Sequence, residues 1–220
     1  MFDALKRLID PDHVESEDAR VLQSWAKAEG HAFKHVKDKA GGGHVVEAAA
    51  GWRAEWGNSQ RPYIIGKELR FRCDTGIPGD VQLILLSKVL AQTLESDVFS
   101  RFTNAMQTQI DNTLPDEMRW LAMHPHVHLP DGTVLARRFS LFANAEPVTT
   151  HWLDPETVQA LEEAVTSWWS DTLVLVVTLN RGILTARMAG QPIAMAQLKL
   201  VSALFAQLAA RLQAVSRLVG

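Results

Sequence analysis

The chain has 220 residues, 47% of them hydrophobic and 21% charged, and a formal net charge of −3. These values are ordinary for a soluble globular protein and exclude intrinsic disorder, while the length allows one large domain or two small ones with a substantial core. Residues 1–75 carry twelve basic and twelve acidic side chains, and no block of Lys and Arg marks a nucleic-acid footprint.

Cys73 is the only cysteine, so no internal disulfide can form. The first residues have neither an uninterrupted apolar segment nor a small-residue cleavage pattern, which argues against a signal peptide. No run reaches the roughly 18 apolar residues expected of a membrane span. The expected compartment is reducing and cytoplasmic.

In chain order, Phe2, Leu5, Leu8 and Ile9 predict a short helix over 2–9 that Pro11 ends. A second helix is predicted over 17–29, with Ser16 as its cap, Glu17 and Asp18 at its positive end and Gly30 as its stop. Strand signals follow at 32–36, 44–49, 52–56 and 63–73, with a glycine turn at 41–43 and a possible bulge at Gly66. In the last of these, Lys67, Leu69, Phe71 and Cys73 share one face, and Glu68, Arg70, Arg72 and Asp74 share the other. That is the period of a half-buried strand.

After the break at 75–79, the pattern predicts a helix over 80–102, with a shorter strand at 81–86 as the competing reading. Thr113, Pro115, Asp116 and Glu117 predict the start of a short helix that stops before Pro125. Residues 126–129 and 133–143 read as a hairpin around Pro130-Asp131-Gly132. Asp154 and Pro155 open a helix to about 169. Residues 173–179 and 183–188 form a second hairpin turned at Asn180-Arg181-Gly182. The last helix, 193–219, places Leu198, Val201, Phe205, Leu208, Leu212, Val215 and Val219 on a heptad seam. Such a seam can lie across a sheet or pair with a second copy.

The fold class read from this order is α+β. Antiparallel strands in two groups are packed by helices on one side, and a long C-terminal helix crosses the sheet. The order helix, strands, long helix occurs twice, so a single domain with two duplicated halves, 1–102 and 115–220, is one reading. The two halves share no residue-level identity.

Three features bear on chemistry. His124, His126 and His128 alternate in a segment read as extended, a spacing that can grip zinc or another transition metal with Asp131 or His151. Against this, Pro125 interrupts a regular ladder. Second, Arg53, Arg70, Arg72 and the loop residue Arg61 suggest an anion- or peptide-binding surface. The interleaved glutamates favour a solvated, self-neutralising face instead. Third, Asn58, Ser59, Gln60 and Arg61 sit in a turn with no evident structural need for their polar groups. The glycine run at 41–43 lacks the Gly-Lys-Ser/Thr ending of a phosphate loop. Cys73, on the apolar side of its strand, reads as a core residue rather than a nucleophile.

No catalytic signature emerges. The expected function is a non-catalytic interaction or scaffold protein, a homodimer through the C-terminal helix or a binder of another protein, with a membrane surface disfavoured. The expected ligand contacts are Asn58, Ser59, Gln60, Arg61, Arg70 and Arg72. The alternatives are a small-molecule binder with a pocket between sheet and final helix, lined by Trp52, Trp56, Phe71 and Phe205, and a metal-dependent hydrolase using the three histidines.

Overall fold

A computed structural model describes residues 16–36, 42–104, 115–190 and 192–219. The expected helix at 2–9 and the cap at Thr113 lie outside these residues. Among the described residues there are seven helices and nine strands, and the strands form one sheet in the order β1-β2-β3-β4-β9-β8-β5-β7-β6 with every pairing antiparallel. The α+β class is as expected.

Helix α1 (Glu17–Ala28) starts where its cap predicts, with the Ser16 side chain accepting from Ala19 N–H at 3.2 Å. It leads into the meander of β1 (Ala32–Val36), β2 (Gly43–Glu47), β3 (Trp52–Asn58) and β4 (Lys67–Asp74). The last strand begins four residues later than predicted. Residues 59–66 are instead a loop pinned by Ser59 N–H to Gly66 O at 2.8 Å and by Arg61 N–H to Ser59 Oγ at 3.0 Å.

The helix predicted from Asp80 is corrected. The chain enters β5 (Leu83–Ser87) and only then α2 (Lys88–Asn104). All five residues of β5 are buried, because it lies between β8 and β7 with both faces covered. A strand covered on both faces loses its alternation, so periodicity cannot separate it from a buried helix.

Helix α3 (Asp116–Met123) and the two-residue strand β6 (His126–Val127) follow. The expected strand at 133–143 is a helical turn, α4 (Val134–Arg138), and then β7 (Phe139–Ala143). A tertiary contact supports that turn. The Glu162 carboxylate accepts from Val134 and Leu135 N–H at 2.7 and 2.8 Å, beside the local Thr133 cap. Helix α5 (Glu146–Trp152), with Pro147 in its first turn, was not anticipated. Helix α6 (Pro155–Ser167), β8 (Leu175–Asn180), β9 (Ile183–Ala189) and α7 (Met195–Val219) match expectation closely. The β8–β9 turn puts Arg181 and Gly182 at positive φ, 51° and 75°, as a two-residue hairpin loop requires.

The two faces of the sheet differ. One carries Trp52, Phe71, Leu85, Val177 and Leu184 and is covered by α1, α5, α6 and α7, forming the main core. The seam residues Leu198, Val201, Phe205, Leu208, Leu212 and Val215 are all buried in it. Pairing of two copies through that seam would require α7 to leave the sheet. Helix α7 is long and apolar enough to cross a membrane by length and composition, contrary to expectation, but 44% of that apolar window is buried inside the protein.

Helices also pack on the second face, which corrects the one-sided arrangement expected. There, among the described residues, α2 and α3 cover the β8–β5–β7 end alone, closing a smaller core of Ile84, Leu86, Leu94, Met118, Trp120, Phe142 and Val176. The two expected halves share one sheet, since β9 and β8 lie between β4 and β5.

Candidate functional site

The β2–β3–β4–β9 part of the second face carries charge where its other end carries apolar side chains. Register builds this directly. Directly opposed residues on neighbouring strands project to the same face. Glu47 opposes Arg53, Arg53 opposes Arg72 and Arg72 opposes Thr185. In the adjacent row Val45 opposes Glu55, Glu55 opposes Arg70 and Arg70 opposes Arg187. Gly57 opposes Glu68 in a third row.

Two carboxylates organise these guanidinium groups. Glu55 is held by Arg53 at 2.7 Å and by Arg70, whose Nε donates to Oε2 at 2.7 Å and whose Nη2 also donates there. Glu68 is only 3% exposed. Its Oε1 accepts from Arg187 at 2.7 Å and Arg70 at 3.2 Å, and its Oε2 accepts from the Ser59 hydroxyl at 3.3 Å. A carboxylate this buried is tolerable only when its lone pairs are filled. Burial and the like charges of Arg61 and Arg70 lower the Arg187 pKa, and Glu68 opposes that shift.

At the border with the smaller core, buried Glu117 of α3 accepts from Arg61 and, at 2.8 Å, from the Tyr63 hydroxyl. Burial, then the Glu117 charge and hydrogen bond, push the Tyr63 phenol well above its ordinary range. The Arg61 guanidinium is raised despite burial, because Glu117 outweighs it. These contacts tie the 59–66 loop to α3.

A groove of about 490 Å³ lies on the charged region. The hairpin β1–β2 lines one side, Asn58, Ser59 and Gln60 line the loop side, and Arg53, Glu55, Glu68 and Arg70 also border it. Its floor is bare backbone at Gly43 and Gly57. Pairing of His44 with Trp56 places these glycines opposite each other, and a Cβ on Gly57 would lie 3.9 Å from Gly43 Cα. A Cβ on Gly43 would meet Trp56 O at 2.9 Å, so that position has no room for a side chain, whereas Gly57 does.

Of the expected ligand residues, Asn58, Ser59, Gln60 and Arg70 come together at this groove. Arg61 does not, because Glu117 holds it. Arg72 lies on the same face beside Arg53 but does not line the groove. Arg187 was missed, although it is a lone charge among the apolar residues of β9. It joins Glu68 across 119 residues of sequence.

The three histidines do not converge. His124 Nε2 is 2.9 Å from Gln82 Oε1, the His126 ring packs on Phe142 at 4.0 Å, and His128 sits 3.2 Å from Asp131 at the exposed end of the segment. Strand β6 is too short to align them, and among the described residues no three His, Cys, Asp or Glu side chains could hold a metal together. The aromatic pocket is corrected too. Phe71 packs on Phe205 at 5.4 Å and on Trp52 at 5.7 Å, and Trp25 stacks on Trp52 at 6.2 Å. These rings are core, on the face opposite the groove. Cys73 is buried, which raises its thiol pKa, and Gln213 donates to its sulfur at 3.5 Å.

No family model matches the chain, and no curated protein matches it. Among solved structures it is similar to the mycobacterial trehalose monomycolate transport factor A, TtfA, with a TM-score of 0.48 and 11% identity over 88% of this chain and 93% of that one. A likeness so distant carries no functional conclusion.

Proposed function

We propose that this chain is a non-catalytic binding protein that holds a small ligand in the groove over β1–β4. The observation that carries this reading is the glycine floor. Two cross-strand glycines remove the side-chain layer where the rest of the sheet face is filled. The groove volume lies within the ~300–1,000 Å³ typical of small-molecule sites. Binding is favoured over chemistry because Glu55, Glu68 and Arg70 are tied in ion pairs. Such groups present fixed charges and fixed donors.

Gly57→Val is the direct test. Its added side chain starts from an ordinary van der Waals contact, so the sheet tolerates it while the groove fills. A fragment screen by ligand-observed NMR should give hits on the wild type that Gly57→Val loses. Hits that persist in the variant, or a wild type with none, would defeat the reading.

A further inference from the structure

The open face does not neutralise itself. Among the described residues, Lys34, Arg53, Arg70, Arg72 and Arg187 share it with Glu47, Glu55, Glu68 and Asp74, which leaves one positive charge in excess. Asp74, further along β4, turns its Oδ1 to Gly76 N–H at 3.0 Å. Each of the three glutamate carboxylates already holds a cation. Glu47 is taken by Lys34 at 2.6 Å, Glu55 by Arg53 and Arg70, and Glu68 by Arg70, Arg187 and Ser59.

The excess concentrates at one place. Arg72 makes no ion pair or hydrogen bond among the described residues, and it stands directly across from Arg53. Arg53 is 48% exposed, and its Nη groups have no hydrogen-bond partner among those residues. Like charges directly opposite one another on a sheet are destabilising. Burial and the neighbouring Arg53 and Arg70 lower the Arg72 pKa, against the pull of Glu55. Two arginines opposite each other in one cross-strand row, with Thr185 next in that row, bring together residue types suited to a doubly charged oxyanion.

We propose that Arg53 and Arg72 form a phosphate subsite beside the groove, taking the phosphate group of a ligand whose remainder crosses the Gly43–Gly57 floor. The second half of that statement rests on the groove reading; the subsite stands on the two arginines alone. A phosphate monoester between the two arginines offsets their repulsion, so binding is favoured beyond its hydrogen bonds.

The test uses inorganic phosphate as probe, by calorimetry and by thermal unfolding against sodium chloride at equal ionic strength. The wild type should bind phosphate and gain Tm beyond the chloride control. Arg72→Gln and Arg53→Gln should each weaken phosphate at least tenfold, while Arg217→Gln, an exposed change on α7, should leave it unaltered. In chloride, Arg72→Gln should unfold at or above the wild-type Tm, because it removes an unpaired charge. Gly57→Val should still bind phosphate, so loss of fragment hits alone would bear on the groove and not on the subsite. Vesicles containing phosphatidic acid locate the source. Arg72-dependent vesicle binding supports a lipid headgroup, and phosphate binding without vesicle binding supports a soluble phosphorylated ligand. Phosphate affinity unchanged in both Arg53→Gln and Arg72→Gln, or lowered equally by Arg217→Gln, overturns the proposal.

Discussion

The two ends of the second sheet face are built on the same rows of residues yet hold together by different forces. One row runs Arg53, Arg72, Thr185, Thr178, Ile84, Phe142 without a break in register. At the Phe142 end, α2 and α3 exclude water and the contacts are apolar. At the Arg53 end no described helix covers the sheet, and order comes from carboxylates shared between arginines. The difference teaches where function can reside. A covered face is closed to solutes, while a charged face whose donors are unpaired among the described residues is open to them.

The comparison breaks most sharply at Glu68. Glu68→Ala leaves Arg187 and Arg70 without their buried counter-charge, and we expect a loss of ~3–5 kcal/mol in urea unfolding. A loss below about 1 kcal/mol would mean the arginines reach water freely, and the open end would then be merely a solvated surface. On the covered side, Leu86→Ala should cost ~2–5 kcal/mol through lost burial and a cavity, with phosphate binding unchanged.

Tyr63 marks the border between the two ends. Tyr63→Phe should cost about 1.5 kcal/mol for its bond to the charged Glu117. Its folded pKa is raised above the ordinary value of about 10, so its contribution is fully present below pH ~10 and lost as pH rises through the folded pKa. Tyr63 is the only tyrosine, so tyrosinate absorbance reports it alone. That absorbance should appear well above pH 10 and together with unfolding. Tyrosinate formed near pH 10 in the folded protein would show that α3 does not seal the border.

The smallest effect is expected at the hairpin edge. Lys34 and Glu47 are both largely exposed, and Lys34→Ala should change stability by less than about 1 kcal/mol, an effect that disappears at high salt.

Much of this architecture is legible in local sequence. Ser16 and Asp154 place the starts of α1 and α6 because a cap acts within three residues. Alternation in residues 67–74 separates Leu69 and Phe71 from Glu68 and Arg70, because strand side chains alternate by geometry. The glutamates interleaved with the arginines were legible as well, and they do neutralise Arg70. What local pattern could not decide is which charges meet. Arg61 goes to Glu117 of α3, and Arg187 arrives from β9, because strand order sets neighbours across long stretches of chain.

By itself, then, the sequence determined the α+β class, the main capped helices and the two chemically distinct faces of the meander. Tertiary structure decided that β5 is a strand, since burial on both faces hides its period. It decided that the heptad seam of α7 closes on its own sheet, and that the three histidines part company. Above all it decided that, among the described residues, α2 and α3 pack over Ile84 and Phe142 and not over Arg53 and Arg72. Caps and periods act over a few residues, whereas coverage depends on where a helix ends against a sheet built from the whole chain.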